Sequence, residues 1–136
     1  MYNIDPKIWG KHWWNIVHFT TISYPEVPSF NDKKNFENLI YAMGATLPCE
    51  NCRVHFKKNI IELPLTQEIL NSRYELIKWG ISLHNLVNKQ TNKSEMQLDD
   101  AIKIYTNGKT TLLFNPNILN IIVLLIVVLI ILFLYK

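Results

Sequence analysis

Apolar residues recur at intervals of three and four along the first hundred positions, then run together without a break near the end. The recurrence predicts helices. Asp5-Pro6 opens the first, because proline at a first helical position gives up no hydrogen bond and an aspartate before it can cap the free amides. That helix should run to about Ser23. Tyr24-Pro25-Glu26-Val27-Pro28 breaks it, since proline cannot donate to the ladder and restricts the residue before it. A second helix is expected from Asn31 or Asp32, with Phe36, Leu39, Ile40, Met43 and Leu47 on one stripe. Pro48 interrupts, and a short third helix should begin at the Cys49 to Cys52 segment and reach about Asn59. Ser72-x-x-Glu75 has the form of a capping box and introduces a fourth helix, carrying Leu76, Trp79, Leu83 and Val87. Ser94-x-x-Gln97 introduces a short fifth, ending at Asn107-Gly108. No alternating run of strand type competes. The expected fold of residues 1–107 is therefore all-α, a four-helix bundle with an appended short helix.

The uninterrupted run changes the picture at the other end. Positions 118–135 hold one polar residue, Asn120, and no charge. At 1.5 Å per residue they reach about 27 Å, enough to cross a bilayer core. A transmembrane anchor is expected over 118–135, joined to the domain by a linker at 108–117. Met1 to Lys11 is mixed and polar, with no leader-like apolar stretch. A single C-terminal span of this kind places the domain on the cytosolic side. Lys103 and Lys109 before the span, against Lys136 alone after it, agree with that orientation. The net charge of +3 is small and scattered, which gives no footing for nucleic acid.

Chemistry concentrates in Pro48-Cys49-Glu50-Asn51-Cys52, which holds the only two cysteines of the 136 residues. Two sulfurs so spaced can cycle between dithiol and disulfide, whereas a disulfide framework or a four-cysteine zinc cage needs more of them. Cys49 follows a proline at a helix start, where unpaired amides and the helix dipole favour a thiolate; Cys52, one turn on, is placed to resolve a mixed disulfide. Two alternatives stay open: a buried pair of free thiols, or half of a zinc site with His55 and His84. Either would suit a non-catalytic membrane adaptor. A thioredoxin-like fold would need strands around the motif. Two aromatic and imidazole clusters accompany the cysteines. Trp14 and His18 share a face of the first helix, and Trp79 precedes His84-Asn85 and Val87-Asn88 on the fourth. Such faces suit stacking on a planar heteroaromatic, with amides for its polar edge, and each alone also reads as core. Trp9 and Trp13 read as packing or interface residues.

Together these segments resemble the Erv/ALR family of FAD-linked sulfhydryl oxidases. Trp14-x-x-x-His18 with Tyr24-Pro25 is similar to its opening motif, Cys49-x-x-Cys52-x-x-His55-Phe56 to its redox motif, and Trp79-x-x-x-x-His84-Asn85-x-Val87-Asn88 with Lys93 to its third signature. Order and spacing agree over about residues 9–100. The resemblance implies a helical bundle holding non-covalent FAD, with the flavin ring beside the cysteine pair and the adenine against the His84 helix. It implies cofactor contacts at Gly10, Lys11, Trp14, His18, Tyr24, His55, Trp79, His84, Asn85, Val87, Asn88 and Lys93, and no metal. Cys52 would be the flavin-side sulfur and Cys49 the one that exchanges with a substrate dithiol, electrons passing on to O2 to give hydrogen peroxide. Gly10-Lys11 stands where the family has Gly-Arg, so a bidentate guanidinium contact is lost. Ile81 and Leu98 stand where many members have a disulfide, and are expected to pack together instead. No shuttle cysteine pair is present, so a separate thioredoxin-like or C-x-x-C partner should deliver electrons directly to Cys49. The family also implies a homodimer, with Trp9, Trp13 or Phe36 as candidate interface residues. Short members without a shuttle suggest a large cytoplasmic DNA virus and a viral membrane.

Overall fold

A computed structural model describes residues 3–106 and a helix over 116–134, the side chains of that helix being described over 124–133. Among the described residues there are seven helices and no strand: α1 Pro6–Ile22, α2 Phe30–Ala45, α3 Glu50–Glu62, α4 Gln67–Leu70, α5 Arg73–Gln90, α6 Leu98–Tyr105 and α7 Pro116–Leu134. Asp5 caps α1 by accepting from the Lys7 amide, with Pro6 at the first helical position as its ring geometry requires. The second helix starts earlier than Asn31. Ser29 and Asp32 form a reciprocal capping box, each side chain accepting the other's backbone N–H, and this fixes the start at Phe30. Cys49 itself caps α3 through its sulfur, which accepts from the Cys52 amide at 3.2 Å. Ser72 caps α5 as expected. Ser94 does not open α6: the cap position is Gln97, without a side-chain bond, and the helix begins at Leu98.

One core joins α1, α2, α3 and α5. Val17 from α1, Phe36 and Ile40 from α2, Phe56 and Ile60 from α3, and Leu76, Trp79 and Leu83 from α5 are all buried in it. The bundle is therefore as the stripes predict. Gly80 lets α1 and α5 approach, since a methyl there would stand 3.3 Å from Thr21 Cγ2. Where packing is expected in place of a staple, Ile81 and Leu98 belong to one apolar cluster: Ile77, Ile81 and Ala101 are buried in it and Leu98 packs against it, joining α6 to α5. An ion pair between Arg73 and Glu26 fastens the α1–α2 loop to the start of α5.

The C-terminal expectation is only partly in view. Among the described residues no helix is long and apolar enough to cross a membrane. The ten side chains described on α7, at 124–133, would cover only about 15 Å of a roughly 30 Å bilayer core. All ten are apolar and exposed. The linker expected at 108–117 and the stop at Asn107-Gly108 fall largely outside the described residues.

Candidate active site

Cys49 and Cys52 are joined as a disulfide, with Cα atoms 5.1 Å apart across the first turn of α3. The two sulfurs have different surroundings. Cys52 lines a cavity of about 520 Å³ enclosed by α1, α3, α5 and the end of α6, whereas Cys49 is buried outside that lining and is 7% exposed. Beside Cys52, the lining takes Gly10, Lys11 and Trp14 from α1, His55 and Phe56 from α3, and His84, Val87 and Asn88 from α5. Lys93 closes the rim from the loop after α5, its amide donating to the Asn88 carbonyl at 2.8 Å. Asn92 supports that turn by adopting a left-handed conformation, φ 55°, which asparagine tolerates better than most residues.

An aromatic tier forms the back wall. The Trp14 and His84 rings stack with centroids 4.0 Å apart and planes 7° from parallel. Behind them His18 is fully buried, its Nε2 lying 2.9 Å from His84 Nδ1, and the Tyr105 ring covers its other face at 4.5 Å. Burial holds His18 at a pKa of about 4. Burial also lowers His84 to about 4, helped by His18 and by the charge of Lys93. Both rings are therefore neutral at pH 7, and one proton sits in the bond between them, donated by whichever ring carries it.

A pH dependence of stability follows. Each native pKa lies below that of free histidine, so between about pH 6.5 and 4 the unfolded chain takes up protons that the native chain refuses. Stability should be complete above pH 6.5 and decline as the pH falls to 4, by roughly 3 kcal/mol for His18 alone. Urea midpoints across that range would check it. His18→Gln should flatten the slope, and an unchanged slope would contradict the assignment.

Four of the residues that the resemblance points to lie outside the cavity lining. His18 acts from behind through His84. The Tyr24 hydroxyl donates to the Leu70 carbonyl at 3.1 Å, tying the α1–α2 turn to α4. The Trp79 indole N–H donates to the Leu63 carbonyl at 3.2 Å within the core. Asn85 spends both ends of its amide on Met96, donating to its carbonyl at 2.9 Å and accepting its amide at 2.8 Å, and so pins the loop that carries Lys93. Trp9 and Trp13, expected only to pack or form an interface, line the cavity instead. Phe36 is buried in the core and cannot serve an interface. Lys7, Asn59, Gln90 and Tyr105 are further lining residues that the motifs did not mark. Asn59 and Gln90 exchange two hydrogen bonds, at 2.8 and 3.3 Å, across α3 and α5.

The Erv1 / Alr family pattern matches residues 11–107. The chain is 34% identical over 100 residues to a probable FAD-linked sulfhydryl oxidase of Acanthamoeba polyphaga mimivirus, covering 74% of this chain and 70% of the relative. It is 28% identical over 104 residues to the mitochondrial FAD-linked sulfhydryl oxidase ERV1 of Saccharomyces cerevisiae, covering 76% of this chain and 53% of that one. Its fold is similar to the crystal structure of the FAD binding domain of Erv1 from Saccharomyces cerevisiae, with a TM-score of 0.70 and 27% identity over 79% of this chain and 99% of that domain.

Proposed function

The chain belongs to the Erv1 / Alr family, and from that membership we propose that it is an FAD-dependent thiol oxidase. A substrate dithiol and O2 become a disulfide and hydrogen peroxide, the two electrons passing through Cys49–Cys52 and the two protons exchanging with solvent. The observation that carries the reading is the asymmetry of the pair: one sulfur, Cys52, on the cavity, and the other turned away from it.

The lining fits FAD. About 520 Å³ is within the range of ligand sites, roughly 300–1,000 Å³. The Trp14–His84 stack offers a flat wall, Lys7, Lys11 and Lys93 supply charge for a diphosphate, and Asn88 supplies an amide. The Trp13 indole N–H is buried without a partner beside the cavity. Gly10 is a helical glycine on the lining whose added methyl would meet nothing within 4 Å beyond its chain neighbours and its own helix backbone, so packing does not explain it. In this reading Trp14, His84, Val87, Asn88 and Lys93 would hold the adenosine part of FAD, and Cys52, His55 and Phe56 would bound the part of the cavity that takes its flavin. Bound FAD supplies two-electron chemistry that accepts from a dithiol and delivers to oxygen.

The chain's own part is thiol exchange and positioning. A substrate thiolate attacks Cys49 Sγ; the Cys49–Cys52 bond breaks and its electron pair leaves with Cys52, on the cavity side. The second substrate thiolate attacks the mixed disulfide at the substrate sulfur, and Cys49 leaves as a thiolate, stabilised by the Cys52 amide and the start of α3. Cys49 and Cys52 are the only cysteines of these 136 residues, so the incoming dithiol is supplied from outside them. The zinc adaptor reading finds less support: the sulfurs are bonded to each other, and no three His, Cys, Asp or Glu side chains converge among the described residues. The purified protein should be yellow, with one FAD per chain and thiol-dependent oxygen uptake. A colourless protein with stoichiometric zinc would sink the oxidase reading.

Two further assignments belong to this proposal. The apolar, exposed side chains of α7 support a C-terminal membrane anchor that keeps the domain at a cytosolic or viral membrane surface. Exposed Ile16 and Phe19 on α1 and Tyr41 on α2 support a homodimer. Membrane fractionation and light scattering in detergent test them; a soluble or a monomeric chain would contradict the respective assignment.

A further inference from the structure

The sulfur that must meet the substrate is the less accessible one, and a short segment is hydrogen-bonded to the residues on either side of it. Asn3 and Ile4, just before α1, lie across the start of α3. The Ile4 amide donates to the Pro48 carbonyl at 2.8 Å, and Asn3 Oδ1 accepts from the Glu50 amide at 3.2 Å. These two backbone groups belong to the residues on either side of Cys49. The Trp9 indole N–H holds the segment from its other side, donating to the Ile4 carbonyl at 3.0 Å.

Resting on the oxidase reading, we propose that Pro48 O and Glu50 N–H form the docking site for the backbone of the substrate protein, and that Asn3–Ile4 is a strap that occupies this site until an extended dithiol segment displaces it. The groups match: an extended chain presents N–H donors and C=O acceptors in alternation, as in strand addition, and needs no particular side chain. Glu50 N–H is a first-turn amide without a helical partner, so something must satisfy it in either state. The strap's bonds are exposed and few, which puts its release at the easy end of local opening. Once displaced, it leaves the substrate thiolate a path to Cys49 Sγ, with Cys52 as the leaving thiolate.

The test uses the full holoprotein without oxygen and a short disulfide-forming dithiol peptide. The readout is the appearance of the two protein thiols by alkylation and mass, which does not depend on flavin colour. A chain beginning at Asp5 keeps the α1 cap and lacks the strap. Asn3→Ala with Ile4→Pro removes both bonds another way. Each should reduce the Cys49–Cys52 disulfide about fivefold faster or more at low peptide concentration, the factor expected for one net hydrogen bond. Ile4→Ala keeps the amide and should match the parent. Unchanged or slower reduction in both strapless forms, or an Ile4→Ala rate equal to theirs, would overturn the proposal. A parallel assay in air separates the two readings: strapless forms reduced faster as stated, with no thiol-dependent oxygen uptake in air, would indict the oxidase reading and leave the strap standing.

Discussion

Replacing Cys52 with serine should lower thiol-dependent oxygen uptake roughly a thousandfold or more, while the flavin stays bound at the parent's stoichiometry. The serine hydroxyl occupies the same place on the cavity wall, so the cofactor's surroundings change by little more than one atom. The electron path, by contrast, is cut, because Cys49 lies outside the lining and has no partner through which to pass electrons inward. Cys49→Ser should abolish uptake to the same extent, so activity alone does not separate the two sulfurs. Trapping does. In the Cys52→Ser chain the free Cys49 thiolate can attack the disulfide of an oxidised substrate, giving a mixed disulfide that no second sulfur of this chain can resolve and that prompt alkylation of the released substrate thiol preserves. In the Cys49→Ser chain the remaining sulfur faces the cavity, beyond a protein's reach. Covalent adducts on non-reducing gels should therefore appear with Cys52→Ser and not with Cys49→Ser. The reverse pattern would invert the assigned roles.

The fold was legible wherever a helix carried its own period and its own stop. Asp5-Pro6, Pro25, Pro48 and the Ser72 cap act locally, and the structure follows each of them. The boundaries that differ from expectation are those with two near-equal local candidates. Ser29 outcompetes Asn31 because only its pairing with Asp32 satisfies two amides at once. Ser94 has the same lettering as a cap and bonds nothing, since Met96 is already tied to Asn85. Helix α4 is four residues long, too short for any period to announce it.

The site was legible as residue types and less so as positions. The spacing of Trp14 and His84 from the cysteines carries no information about which faces meet, yet their rings stack. His18, Asn85 and Tyr24 hold other residues in place, through bonds to positions between 11 and 66 residues away. Lys7, Trp9, Trp13 and Tyr105 reach the cavity because α1 and α6 fold against α5, a tertiary fact with no local signature.

Gly44→Ala should destabilise the protein by about 2 kcal/mol, equivalent to a fall of roughly 10 °C in Tm for a domain of this size. Gly44 is a buried residue near the end of α2, facing α3, and a methyl group there would collide with the edge of the Phe56 ring at its Cε1. Alanine is the better helix former by about 1 kcal/mol, so local preference favours the substitution and only packing opposes it. Packing should prevail because the ring cannot yield freely. Phe56 is buried, meets the Trp13 ring edge-on at 6.0 Å, and lines the cavity beside Cys52. Any retreat of the ring presses on Trp13 or intrudes where the cofactor would lie, so flavin affinity should fall along with stability. Gly10→Ala is the matched control. It too replaces a helical glycine, but its methyl would meet nothing within 4 Å beyond its chain neighbours and its own helix backbone. The flavin-free form of that variant should melt a few degrees higher than the parent, by the helix-propensity gain alone. Opposite signs from two glycine-to-alanine changes in neighbouring helices, read from thermal melts of the flavin-free chains, would establish that α2 and α3 are set at their present separation by the absence of a single side chain. A Gly44→Ala chain as stable as the parent would mean that Phe56 has room to move, and that the wall beside Cys52 is softer than its packing indicates.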